Sequence, residues 1–200
     1  MGNDIQYILD HLDKILTDEN FAGIGSTRKA YKYKQFVVKE YLHEIGYLQT
    51  ENEDTVYKIL HAKGLAQHVA PILYYDKNIM IQPFHEQLPL IENSSYELQL
   101  QDETRLTADL KEALHMIDHV LDGFDFKDSS NYGLDDKGHL ILIDYGMTKE
   151  LYERKWVPLA EAGILPQISF EACQSCGVET EIRTYGREDA DRRCVACGKE

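Results

Sequence analysis

Cysteine is missing from the first 172 residues, and all four cysteines stand near the C-terminal end, at Cys173, Cys176, Cys194 and Cys197. That distribution excludes a disulfide framework spread over the chain. It points to one local metal site in a reducing compartment, for which the cytoplasm is the natural setting. Long apolar runs are missing as well. No stretch approaches the roughly 18–20 residues that cross a bilayer, and Met1-Gly2-Asn3-Asp4 lacks the basic-then-apolar order of a secretion signal. Position 6, where myristoylation favours serine or threonine, is Gln6. Positive charge is scarce: 21 lysines and arginines stand against 35 aspartates and glutamates, for a formal net charge of -14. An acidic surface repels phosphate backbones, so neither nucleic acid nor a membrane is expected as a partner.

What is present suits a globular chain. Two hundred residues, 43% hydrophobic and 28% charged, fit one medium domain with a small metal-held appendage. Ile5, Ile8, Leu9, Leu12, Ile15 and Leu16 predict a packing helix over 4–17, with Asp4 as its cap. The glycine-punctuated stretch from Phe21 to Tyr31 and the strand formers from Gln35 to Tyr41 predict a hairpin turning at Lys32–Lys34. A helix follows around 49–63. Strands at 70–75 and 79–84 meet at the turn Asp76-Lys77-Asn78. The stretch 85–104 is polar and without clear period. Leu106, Leu110, Ala113, Leu114, Ile117 and Leu121 then line one face of the clearest helix, which Asp122-Gly123 stops. A strand at 139–143 ends in Asp144-Tyr145-Gly146, and a last helical stretch runs to about 162.

This order sets polar residues at successive strand ends and loops. Gly23 and Gly25 let backbone approach a phosphate without a Cβ in the way. Lys39 lies within the following strand, where it faces either solvent or an anion, and Glu53 on the next helix is placed to hold it. Asp125-Phe126-Lys127-Asp128-Ser129-Ser130-Asn131 then follows the long helix and precedes the hairpin ending in Asp144.

In this order and context the sequence resembles the protein-kinase-like superfamily over roughly residues 20–150, and more narrowly the small kinase-like proteins of bacteriophages and bacteria. The resemblance implies an α+β fold in two lobes: an N-terminal lobe at about 20–84 preceded by the helix 4–17, and a short C-terminal lobe at about 85–168. It implies that Gly23, Gly25 and Ser26 cover a nucleotide, that Lys39 touches its α- and β-phosphates, and that Glu53 (or Glu51) pairs with Lys39. Gln82-Pro83-Phe84 falls at the hinge, where Gln82 and Phe84 would meet adenine. Asp125 resembles the catalytic base, Lys127 the lysine that steadies the γ-phosphate, and Asn131 and Asp144 the two Mg²⁺ ligands. These residue types suit phosphoryl transfer, which asks for positioning and charge neutralisation more than covalent help. Two departures stand out. Asp125 and Asn131 are one residue further apart than in the family, with Gly123-Phe124 in place of a preceding histidine and arginine. Only about two dozen residues separate Asp144 from the cysteine module, too few for the helices on which a protein substrate docks.

Cys173-Gln174-Ser175-Cys176-Gly177 and Cys194-Val195-Ala196-Cys197-Gly198 are two knuckles at the spacing of a Cys₄ zinc ribbon, expected over 169–200. Four thiolates fill a tetrahedron, so the Zn²⁺ is expected to be structural. The chain is read as an ATP- and Mg²⁺-dependent kinase-like phosphotransferase acting on protein hydroxyl groups, in the host cytoplasm if phage-encoded. The alternatives are a pseudokinase that grips a protein partner and, behind it, a small-molecule kinase.

Overall fold

The computed structural model describes residues 2–92 and 94–199. The expected first helix is two: α1 (Gly2–Asp10) and α2 (Leu12–Ile15), broken at His11, which leaves helical geometry and stacks on Tyr7 at 4.2 Å. Ile8 and Ile15 pack against Phe36, Val38, Ile79 and Ile81, one face of a five-stranded antiparallel sheet. The sheet comprises β1 (Phe21–Ile24), β2 (Arg28–Tyr33), β3 (Phe36–Tyr41), β4 (Tyr74–Tyr75) and β5 (Ile79–Pro83), in the order β1-β2-β3-β5-β4. Strand side chains alternate between faces, so with Phe36 and Val38 toward α1 and α2, Val37 and Lys39 face the other way.

Three local differences from the sequence reading have physical causes. Lys32 and Tyr33 pair with Val37 and Phe36, which pushes the turn to Lys34-Gln35, where Lys34 takes a left-handed φ of 53°. The strand expected over 70–75 shrinks to Tyr74–Tyr75, because the Ala70 N–H is diverted to the Leu142 carbonyl at 2.9 Å. The helix expected from 49 begins earlier, as α3 (Glu44–Ala62), since the ring of His43 caps it by accepting from the Ile45 N–H at 3.2 Å. Gly46 brings α3 close to β2: a methyl there would sit 2.7 Å from the Thr27 carbonyl oxygen.

The second lobe centres on α4 (Ala108–Val120) and a small sheet, β6 (Glu86–Gln87), β7 (Tyr132–Leu134) and β8 (Leu140–Leu142). Its core joins Leu110, Ala113 and Ile117 to Tyr132, Leu140 and Leu142, and Leu60 of α3 extends it into the first lobe. The polar 85–104 stretch contributes Leu88 and Leu98. After α4 the left-handed residue is Asp122 (φ 58°) and not Gly123, whose missing side chain is needed for packing: a methyl would collide with Ile117 and Phe126. Residues 149–161 form one short helical run, α5 (Lys149–Leu151), a π-turn (Tyr152–Trp156) and α6 (Val157–Glu161). The ribbon follows as an antiparallel pair, β9 (Gln167–Ala172) and β10 (Glu179–Thr184), with the cysteines at its end. Among the described residues no helix is long and apolar enough to cross a membrane. The chain is α+β, two-lobed, with a shortened second lobe and a terminal four-cysteine ribbon.

Candidate active site and metal centre

Lys39 from the sheet and Asp144 from the loop after β8 meet between the lobes, with Nζ 3.7 Å from Oδ2 and donating to the Ile143 carbonyl at 3.0 Å. The cation that grips Glu53 is Arg28, the first residue of β2, where the sequence had suggested Lys39. Arg28 Nη1 and Nη2 donate to Glu53 Oε2 and Oε1, each at 2.9 Å, and Nη2 also bonds Asp144 Oδ1. The planar fork of arginine satisfies both carboxylate oxygens at once, which a lysine cannot do. Arg28 is 5% and Glu53 0% exposed, so their pairing is a condition of burying either. The runner-up, Glu51, accepts instead from the Tyr47 hydroxyl at 2.9 Å.

Two cations and two carboxylates make this cluster self-neutralising. Burial opposes the charge on Asp144, but Arg28 and then Lys39 outweigh it and hold the carboxyl below its usual range. Burial, aided by Arg28, lowers Lys39 despite the opposing pull of Asp144. The cluster is pinned to α3 from below. A methyl at Gly146 would collide with the Gln49 backbone, Asn52 Nδ2 donates to the Gly146 carbonyl at 3.0 Å, and the Tyr145 hydroxyl donates to the Ala70 carbonyl at 2.6 Å.

Asp125, Asn131 and Asp144 are brought together. Asn131 Nδ2 donates to the Asp125 carbonyl at 2.6 Å, and the Asn131 carbonyl accepts the Ile143 N–H at 2.9 Å. Asp125 is left-handed (φ 65°), and a tight turn follows at Ser129–Asn131, capped by Asp128 accepting from the Ser130 N–H at 2.8 Å. Surrounding protein raises the Asp125 carboxyl above its usual range, Asp128 adds to this, Asn131 opposes it, and Asp144 contributes least. Lys127 is not in this group. It is largely exposed and pairs with Glu97 at 3.0 Å.

The glycine segment is a compact turn, closed by the Gly25 N–H on the Arg28 carbonyl at 2.8 Å. Neither Gly23 nor Gly25 has a positive φ; a methyl at Gly23 would meet nothing within 4 Å and one at Gly25 only the Arg28 carbonyl oxygen at 3.7 Å, so the fold itself requires glycine at neither position. Ser26 Oγ accepts from Trp156 Nε1 at 3.2 Å. At the hinge, Gln82 is 1% exposed; its Nε2 donates to the Ile143 carbonyl at 3.2 Å while its Oε1 has no partner. Phe84 is covered by Lys32, whose Nζ lies 3.7 Å from the ring centroid. A cavity of about 900 Å³ opens beside Asp125, floored by Leu106, Leu114 and Phe126 and rimmed by Lys111, Lys127 and Lys149. Arg28, the Trp156–Ser26 bond and this cavity carried no local signal in the sequence.

At the C-terminal end, the four cysteine sulfurs lie within 4.8 Å of one another. A tetrahedron with Zn–S bonds of about 2.3 Å has edges of about 3.8 Å, so the cluster is of metal-binding size. Gly177 (φ 74°) and Gly198 (φ 92°) supply the left-handed turns below the sulfurs. The Cys173 thiol is lowered to about 6, chiefly by the Cys176 N–H, and its Sγ also accepts from the Cys194 N–H at 3.2 Å. This favours the thiolate, the ligating form.

No protein-family model and no curated protein matches this sequence. Among solved structures, the chain is similar to the streptomycin–ATP–APH(2″)-IIa ternary complex at 13% identity and a TM-score of 0.41, over 73% of this chain and 71% of that one.

Proposed function

We propose that the chain binds a nucleoside triphosphate between its lobes and transfers the terminal phosphate to a hydroxyl group. The observation that supports this reading is the chain of contacts linking Lys39 of the first lobe to Asp144, Asn131 and Asp125 of the second. Lys39 would bind phosphate oxygens as a point charge. The orphaned, buried Gln82 Oε1 suits an exocyclic amine of the base. Asp125 takes the acceptor's proton as its oxygen bonds to phosphorus; the bond to the bridging oxygen breaks, and the nucleoside diphosphate leaves with that electron pair. The raised pKa of Asp125 brings its basicity closer to that task.

Mg²⁺, which the superfamily resemblance implies, fits the donor set. Asn131 has its Oδ1 free because Nδ2 makes the loop bond, and the Asp144 side chain is 34% exposed. When bound, the ion would neutralise phosphate charge. Zn²⁺ fits the cysteine cluster by ligand type, number and spread, and would serve structure. The acceptor is a protein hydroxyl or a small molecule housed in the cavity beside Asp125. A transfer assay with Mg²⁺-ATP tests the reading. Asp125→Ala should abolish transfer and leave ATP affinity nearly intact, and Asp144→Ala should weaken Mg²⁺-ATP binding itself.

One observation favours a second reading, a pseudokinase that grips a protein partner. Arg28 already neutralises Asp144, leaving less negative charge to draw a metal. Absence of any transfer, with partner binding unchanged when Asp125 and Asp144 are both replaced, would establish it.

A further inference from the structure

Four cations are buried among the described residues: Arg28, Lys39, Lys199 and Arg183. Three have carboxylate partners, Arg28 with Glu53 and Asp144, Lys39 with Asp144, and Lys199 with Asp189 at 2.7 Å. Arg183, on β10 and 2% exposed, has no ion pair. Its Nη1 donates to the neutral carbonyl of Gly25 at 3.0 Å, and its Nε has no partner at all. Glu181, two residues away on the same strand, feels the Arg183 charge without forming an ion pair with it, so the guanidinium keeps donors that an anion arriving from outside would satisfy.

The location says which anion. Ile182 packs with Cys173 and Cys194, so its neighbours Glu181 and Arg183 point away from the metal centre. Arg183 reaches the glycine turn of the first lobe. Glu181 lies close enough to Asp128, in the catalytic loop of the second, for that charge to add to the rise that its surroundings impose on the Glu181 carboxyl. β10 therefore runs from near Asp128 to the glycine turn, with Arg183 at the glycine end. The ribbon is seated firmly there: Gly163 and Gly186, both left-handed, pack so closely that a methyl on Gly186 would lie 3.2 Å from the Gly163 Cα.

We propose that Arg183 is an anion ligand of the nucleotide site, supplied by the four-cysteine ribbon, and that it takes the terminal phosphate of the bound nucleoside triphosphate. The inference rests on the phosphotransferase reading above. Nε and the remaining donors of the guanidinium fork offer charge-assisted bonds to a phosphate oxygen, and the grip on Gly25 keeps the turn in place over it.

The test uses the full-length, metal-loaded chain. Affinities for ATP, AMP and inorganic tripolyphosphate are measured by calorimetry for wild type, Arg183→Gln and Arg183→Lys. Trp156, the only tryptophan, bonded to Ser26 of the turn, gives an independent fluorescence readout. Arg183→Gln should weaken ATP and tripolyphosphate about tenfold or more, the scale of one charge-assisted hydrogen bond. AMP should change less than about twofold, and Arg183→Lys should recover part of the loss. Equal weakening of ATP and AMP, or no weakening of either, overturns the proposal. If wild type binds neither nucleotide, the phosphotransferase reading falls first. Arg183 then stands as an anion ligand only if tripolyphosphate binds and Arg183→Gln abolishes it; failure of that arm overturns it too. Arg183→Met separates ligand from scaffold. Free of anion it loses the bond to the Gly25 carbonyl and should melt lower, and it should also lose the extra stabilisation that ATP gives over AMP. A lower melting point with that ATP effect intact marks Arg183 as scaffold and overturns the proposal.

Discussion

Both terminal nitrogens of Arg28 serve Glu53, and one of them serves Asp144 as well. Removing that guanidinium strands a carboxylate with no solvent exposure. Arg28→Ala should therefore cost about 3–5 kcal/mol of stability, the usual penalty for breaking a buried pair from one side. Arg28→Lys should recover little, since one ammonium cannot bridge both oxygens; urea unfolding reads both variants. The pH behaviour of Asp125 follows from its neighbours. Its surroundings first, then Asp128 and Asp144, raise its carboxyl, against the Asn131 hydrogen bond, so the base is lost at a higher pH than for an ordinary aspartate. Asp128→Asn keeps the oxygen that caps the Ser129–Asn131 turn but removes the charge. The acid limb of the pH–rate profile should then move to lower pH, and an unmoved limb would detach it from Asp125. Lys39, Asn131 and Asp144 were legible in the sequence because each sits in a short motif with a recognisable local setting. The choice between Arg28 and Lys39 for Glu53 was not. It depends on β2–β3 register, with Arg28 opposite Tyr41 and Ala30 opposite Lys39, and on how closely Gly46 lets α3 approach.

Among the elements, the best-read were those with strong periods: β3, α4 and the knuckles behave as their patterns ask. Boundaries failed where a side chain or a distant backbone intervened, as with the His43 cap of α3 and the Ala70–Leu142 bond that shortens β4. Glycine misled in one place, since Gly123 looked like a helix stop and is a packing residue behind a left-handed Asp122. Gly123→Ala should cost about 1–3 kcal/mol through overpacking against Ile117 and Phe126, with substrate-independent loss of stability. Gly146→Ala should behave differently. The methyl would press on the Gln49 backbone of α3 and push α3 from the Asp144 loop, so affinity for nucleotide should fall along with the melting temperature.

For the whole molecule, the ribbon is fastened to the first lobe as well as closed on its own cysteines. Arg183 on Gly25 ties it to the first lobe, and the Gly163–Gly186 contact holds it against the turn that leads into β9. Chelating the metal from the intact protein should thus release β10 and weaken ATP more than AMP, while a detachable appendage would leave both affinities untouched. The acidic balance of the sequence foretold little of this, because net charge averages over the few places where charge is buried.

Trp156 and Arg183 hold a turn of the first lobe from 130 and 158 residues further along the chain, so the turn is synthesised well before either of them. Domains generally form from the N-terminal end during synthesis. Until those residues are made, Gly25 lacks the Arg183 bond and Ser26 the Trp156 bond. A part of the first lobe is thus completed only when residues 156 to 183 have been made, and the two distant segments must order together.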